Sequence, residues 1–144
     1  MSVVSPDSGA PIRDTLLLSY AQRRAPGGTV LALRGTAIDL ALARGTRLSH
    51  DDHLLLEDGS MVEIVARPEA LLEVRAADLA SLAHAAWLLG DHHIPVEIHG
   101  RYLRVLHTES ASALLRRLGV AWREIEAPFE PEGGAYEHPD DPGS

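Results

Sequence analysis

LLEVRAADLASLAHAAWLLGDHHIPVEIHGRYLRVLHTESASALLRRLGVAWREIEA, residues 71–127, switches repeatedly between two apolar spacings, and that switching decides the fold. ADLASLAHAAWLLG (Ala77–Gly90) puts Leu79, Leu82, Ala83, Ala86 and Leu89 on one helical stripe. Asp78 is favourable in its first turn and Gly90 suits its C-terminal cap. SASALLRRLGV predicts a second helix ending near Gly119. Between the helices, IPVEI (Ile94–Ile98) and RYLRVLH (Arg101–His107) flank His99-Gly100, the signature of a tight hairpin turn. With LLEV in front and VAWREIEA behind, the order is β-α-β-β-α-β, which predicts a ferredoxin-like unit with two helices on one face of an antiparallel sheet.

Upstream the style differs. From Ile12 to about Val74 the runs TLLLSY, TVLAL, IDLALA, HLLLE, MVEIVA and LLEV are broken by turn signals APGG, RGT, RGT, DG and RPE. Strands so closely spaced predict a small antiparallel β-domain. Residues 1–11 are rich in Ser, Pro and Gly without periodicity, and beyond Glu130 the chain is proline, glycine and acid. The expected class is therefore α+β. A leader without regular structure (1–11) precedes a β-domain (12–72), a ferredoxin-like domain (73–129) and a flexible acidic tail (130–144).

Composition removes several functional classes. No apolar run approaches the roughly 20 residues a bilayer requires, and the N-terminus lacks the basic start and apolar core of a secretory signal. With no cysteine, disulfides and thiolate metal sites are excluded, and a cytoplasmic protein is expected. Net charge is −8, but five of the 21 acids lie in the last fifteen residues, leaving 16 against 13 basic residues elsewhere. A near-neutral body without a basic stripe argues against nucleic acid as a partner. Every basic residue is arginine, so no lysine can form a Schiff base or serve a phosphate-binding loop.

Histidine is the residue that attracts chemistry. GDHHIPVEIHG (Gly90–Gly100) holds three of the eight histidines. On a strand from Ile94 to Ile98, Ile94, Val96 and Ile98 would face the core, whereas His93, Pro95, Glu97 and His99 would face away. Adjacent His92 and His93 then point apart and do not chelate one ion together. His99 would stand about 20 Å from His93 along the strand, outside any shared site. Imidazole suits nickel, copper and zinc, and a symmetric dimer with this face on its two-fold axis would bring two copies of His93 together. His138, in the acidic tail, could complete such a site. His84 is expected to face solvent from the helix, and His50 and His53, in SHDDH, to solvate a loop. No nucleophile elbow or HExxH spacing supports a hydrolase. A metal-independent dimeric protein-interaction module is the remaining rival.

RGTRLSHDDHLLLEDGSMVEIVARPEALLEV (44–74), AHAAWLLGDHHIPVEI (83–98), YLRVLH (102–107) and especially EAPFEPEGGAY (126–136) resemble the UreE family of urease accessory proteins. The resemblance implies a nickel metallochaperone and not an enzyme. It implies a homodimer formed through the ferredoxin-like domain, with Ni(II) as cargo handed to the urease apoprotein complex through contact with the maturation GTPase UreG. The family's interfacial metal histidine maps onto His93, and His92 stands where the family carries arginine. The family's His-Asp-His after the second hairpin strand is here His107-Thr108-Glu109, so only His107 maps onto an accessory ligand. Histidine-rich tails are common in the family, whereas this one holds His138 alone. Imidazole sites prefer Cu(II) to Ni(II), so Cu(II) or Zn(II) is expected to compete in vitro. Only neutral imidazole ligates, so binding should weaken in acid.

Overall fold

The computed structural model of the chain describes residues 2–4 and 9–133. The chain divides into two compact units, Met1–Arg67 and Pro68–Ser144. Among the described residues no helix is long and apolar enough to cross a membrane.

The first unit holds β1 (Ser2–Val4), β2 (Ile12–Leu18), α1 (Tyr20–Arg24), β3 (Thr29–Leu31), β4 (Ala37–Asp39), β5 (His53–Leu55) and β6 (Met61–Ala66). Its main sheet has the order β1-β5-β6-β2. Two expectations are corrected. The leader contributes a strand, because β1 pairs antiparallel with β5 from Ser2↔Leu55 to Val4↔His53. The sheet is mixed rather than antiparallel, because β2 and β6 run parallel. The chain between them leaves the sheet through α1 and the β3–β4 hairpin before returning, and only such a long crossover allows parallel neighbours. α1 starts at a capping box: Ser19 Oγ accepts from Gln22 N, and Gln22 Oε1 accepts from Ser19 N. The signal is Ser19-x-x-Gln22, which begins inside the run TLLLSY, expected as a strand, and ends two residues beyond it. Leu16, Leu18, Ile38, Leu40, Leu48, Leu54, Val62 and Ile64 fill this unit's core. Buried Asp14 accepts from the backbone N–H of Arg34 and so pins the loop between β3 and β4.

The second unit is β7 (Pro68–Arg75), α2 (Leu79–Asp91), β8 (Glu97–Ile98), β9 (Leu103–Leu106), α3 (Glu109–Leu118) and β10 (Ala121–Pro128). All its strand pairs are antiparallel, in the order β10-β7-β9-β8. β7 begins at Pro68 and pairs with β10 through Pro68↔Pro128, so the break between units precedes Pro68 and not residue 73. Asp78 Oδ1 accepts from Ser81 N to cap α2, and Thr108 Oγ1 accepts from Ala111 N to cap α3. Gly119, at φ 72°, ends α3 in the left-handed conformation.

Alternation along β7 sorts the sheet's two faces. Leu72 and Val74 join Leu103 and Val105 under Leu82, Ala85 and Leu89 of α2 and Ala111, Leu114 and Leu115 of α3. The buried stripe of α2 is therefore rotated from the expected one, with Leu79 and Ala83 left exposed. On the opposite face Glu73 is buried, and its carboxylate accepts from Arg75, Arg104 and Arg123. Burial opposes ionisation of Glu73, but hydrogen bonds from the three arginines and the charge of Arg123 outweigh it, and its pKa falls below 4.5. Arg75 and Arg104 also stack on Tyr102, 4.8 and 5.1 Å from the ring centre.

Candidate metal-binding turn and C-terminal segment

α2 runs through Gly90 to Asp91, one residue beyond the expected cap, and His92 is its terminal residue. His93 N donates to Gly90 O at 2.9 Å, and Ile94 N donates to Leu89 O at 3.0 Å. These two bonds close a Schellman turn, in which the residue after the cap adopts positive φ and is usually glycine. Here that residue is His93, at φ 58°. Ile94 then packs on the helix-side core and Pro95 prevents the helix from resuming.

This geometry replaces the parity argument. β8 is only Glu97–Ile98, so residues 92–95 form a turn and not a strand. Both His92 and His93 are exposed at the end of α2. His92 Nδ1 lies 2.9 Å from Leu88 O, which makes Nδ1 the donor and, in the neutral ring, leaves Nε2 as the nitrogen with a lone pair. A ring held in this way presents one defined nitrogen to a metal.

The remaining histidines separate by environment. His99 Nε2 lies 2.9 Å from Glu97 Oε1, and the ring stacks on Tyr102 at 4.4 Å, so it is engaged away from the turn. His107 follows β9 and donates its backbone N–H to Ala70 O, while its Nε2 is 3.8 Å from Glu124 Oε1. Extending the β8–β9 register places His107 level with Ile94, at the same end of the sheet as the turn. His84 is exposed beside Trp87, as a solvent-facing helix residue. His50 does more than solvate its loop: Nδ1 accepts from Ala66 N at 3.1 Å, while His53 is buried in β5. His138 lies outside the described residues. Among those described, no three of His, Asp and Glu come together as a cation site.

Sequence reading missed the segment after β10. Phe129 is fully buried although Pro and Glu surround it. Glu130 N donates to Glu97 Oε2 at 3.2 Å, Glu132 N donates to Val96 O at 2.8 Å, and Ile98 N donates to Glu132 Oε1 at 3.3 Å. Residues 130–132, expected to begin a flexible tail, are bonded to the edge of β8. The available signal was Phe129, the chain's single phenylalanine, which composition counts let pass. A further apolar feature lies on α2, where Leu79, Ala83 and Trp87 follow one another at helical spacing on the outward side, with Leu79 and Trp87 68% and 63% exposed.

Comparison with known proteins bears on this site. Residues 69–144 match the family described as UreE urease accessory protein, C-terminal domain. The chain is 44% identical over 126 residues to the urease accessory protein UreE of Bradyrhizobium sp. strain BTAi1, covering 88% of this chain and 61% of that one. It is 42% identical over 126 residues to the protein of that name from Beijerinckia indica, covering 88% and 73%. Against that of Cupriavidus necator the figures are 46% over 121 residues, 84% and 63%. The chain thus spans about three-fifths of the length of most of these relatives.

Proposed function

The chain belongs to the UreE family of urease accessory proteins, and on that premise we propose that it is a homodimeric Ni(II) carrier that delivers its cargo to the urease maturation complex. The observation that carries this reading is His93. A left-handed backbone costs a non-glycine residue roughly 1–2 kcal/mol, and glycine would avoid that cost at the end of α2. Strain of this kind persists where a side chain is needed, and here it sets an imidazole on an exposed turn.

The second unit acts, in this reading, as the ferredoxin-like metal-binding and dimerisation domain. The outward stripe of Leu79, Ala83 and Trp87 supports self-association, since it is apolar, exposed and runs along the helix that ends at His93. A two-fold axis there brings two His93 rings to one ion. His138 completes the shell from the tail, with water in the remaining positions. His92, through Nε2, and His107, at the same end of the sheet, are secondary ligands. A site with few protein ligands binds Ni(II) and also releases it, as a carrier must. Zn(II) and Cu(II) compete for such imidazoles, so the delivery partner sets selectivity. That partner is the maturation GTPase UreG with the urease apoprotein, and the setting is the cytoplasm. The protein positions and passes a metal ion and catalyses no reaction.

Titration of the purified chain with Ni(II), with the oligomeric state followed by light scattering, tests the reading. The expected result is tight binding at one interfacial site per dimer, abolished by His93→Ala with the dimer intact. Unchanged binding in His93→Ala refutes the assignment, and a stable dimer that takes no Ni(II) at all leaves the interaction module as the correct description.

A further inference from the structure

We infer that Arg75, Arg104 and Arg123, gathered around Glu73 on the sheet face opposite α2 and α3, form a docking site for an acidic segment of a partner protein. The inference goes beyond the carrier reading and does not depend on His93. Arg123 on β10 and Arg104 on β9 flank Glu73 of β7 in register, and Arg75 lies two residues further along β7. Each arginine turns Nε and Nη2 onto the Glu73 carboxylate, at 2.9 to 3.3 Å. Their Nη1 groups have no partner among the described residues. Arg75 and Arg104 also stack on Tyr102, whose ring lies 4.4 Å from that of His99. The guanidiniums are therefore held in place, with donors to spare.

Charge identifies the occupant. One arginine would neutralise Glu73, and the other two leave this patch positive in a chain of net charge −8. The next acid on the face, Glu97 opposite Arg104, has its oxygens at His99 Nε2 and Glu130 N and does not bond the array. A positive patch on an acidic protein draws an anion to one place, and planar guanidinium forks match carboxylates in particular. Arg75 and Arg123 are more than half exposed, so the array is open and lacks the enclosure a small-molecule site requires. Bonded to one carboxylate, the three guanidiniums lie within about 10 Å of one another. Alternate side chains of an extended segment, about 7 Å apart on one side, span that array. A long polyphosphate would meet the repulsion of the whole acidic chain, whereas a short acidic segment interacts within about one screening length, about 10 Å.

The full-length chain, labelled with nitrogen-15, is titrated at low salt with the capped peptide Gly-Glu-Ser-Glu-Ser-Glu-Gly and with its counterpart carrying Gln for Glu. Saturable amide shifts should concentrate at residues 73–75, 102–104 and 121–123 with the acidic peptide alone, and fade as salt is raised. Arg75→Gln and Arg123→Gln should each weaken binding about two- to fivefold, and the double variant about tenfold. Arg123→Lys, which keeps the charge but not the fork, should fall between wild type and Arg123→Gln. Arg116→Gln, at an exposed position of α3 on the other side of the sheet, should bind as wild type does. Shifts that do not saturate, equal binding of the Gln peptide, or an equal loss in Arg116→Gln overturn the inference. So does an oligothymidylate that shifts the same amides at lower concentration than the peptide, since the face would then take nucleic acid.

Discussion

Glu73→Gln removes one charge from the centre of the second unit while keeping shape and volume nearly constant. In the native chain Glu73 Oε1 accepts from Arg75 Nη2 at 2.9 Å and Arg123 Nε at 3.0 Å, while Oε2 accepts from Arg104 Nε and Nη2 at 3.3 Å. Glutamine supplies one acceptor oxygen and turns an N–H₂ toward a guanidinium, so at least one arginine loses its partner. Breaking a fully buried ion pair from one side costs about 3–5 kcal/mol. Arg75 and Arg123 are 52% and 66% exposed and can rehydrate, whereas Arg104, at 23%, is the one left partly stranded. The expected loss is therefore smaller, about 2–3 kcal/mol, near the upper range for hydrogen bonds to charged groups. Both tryptophans, Trp87 and Trp122, belong to this unit, so urea unfolding followed by their fluorescence reports on it directly. The pH dependence gives a second test. Because the pKa of Glu73 is lowered on folding, its contribution is full above 4.5 and fades as pH falls below that value through the folded pKa. The gap between wild type and variant should be widest near neutrality and close in acid. A loss below about 0.5 kcal/mol at pH 7, within the range of an ordinary surface ion pair, or a gap that widens in acid, would refute the account of Glu73 as an anchor.

His93→Gly relieves the left-handed turn, so urea unfolding should show unchanged stability or a gain of up to about 1 kcal/mol, while calorimetry shows Ni(II) binding lost; a marked loss of stability would contradict a strained histidine. Phe129→Ala should cost about 3–5 kcal/mol in the same unfolding assay, because its ring is fully buried, and the amide protons of residues 130–132 should exchange faster in deuterium. A variant with native stability would show that Phe129 anchors nothing. Gly119→Ala should cost about 1 kcal/mol in the same assay through backbone conformation alone, since nothing lies within 4 Å of the added Cβ, and a loss of several kcal/mol would refute a purely conformational cost.

Elements whose signals are local were legible from the chain. α3 spans Glu109–Leu118 and stops at Gly119, where the Thr108 cap and the glycine stop lie within one short run of sequence. α2 was equally legible as a helix, but its orientation was not. Leu79, Leu82, Ala83, Ala86 and Leu89 are all apolar, so several stripes fit, and packing against Val74 and Val105 selected Leu82, Ala85 and Leu89. The parallel pairing of β2 with β6 was hidden for a different reason: strand direction depends on where the chain returns, and apolar alternation is the same for either direction. The candidate site divides similarly. His93 stands out in the sequence as a histidine two residues before a proline, but its outward placement on a strand from Ile94 is not realised, because β8 begins only at Glu97.

By itself the sequence determined the α+β class, the lack of cysteine and the family, because each follows from residue identity or from spacing within one short segment. Tertiary structure alone decided that His93 occupies a strained helix-ending turn, that Glu73 is buried among three arginines, and that residues 130–132 lie along β8. The His93 turn is closed locally between Leu89 and Ile94, whereas the last two bring together groups from separate segments, Glu73 with Arg123 and Val96 with Glu132. Such pairings gain their energy only when the intervening chain has already folded, and no local pattern of side chains encodes them.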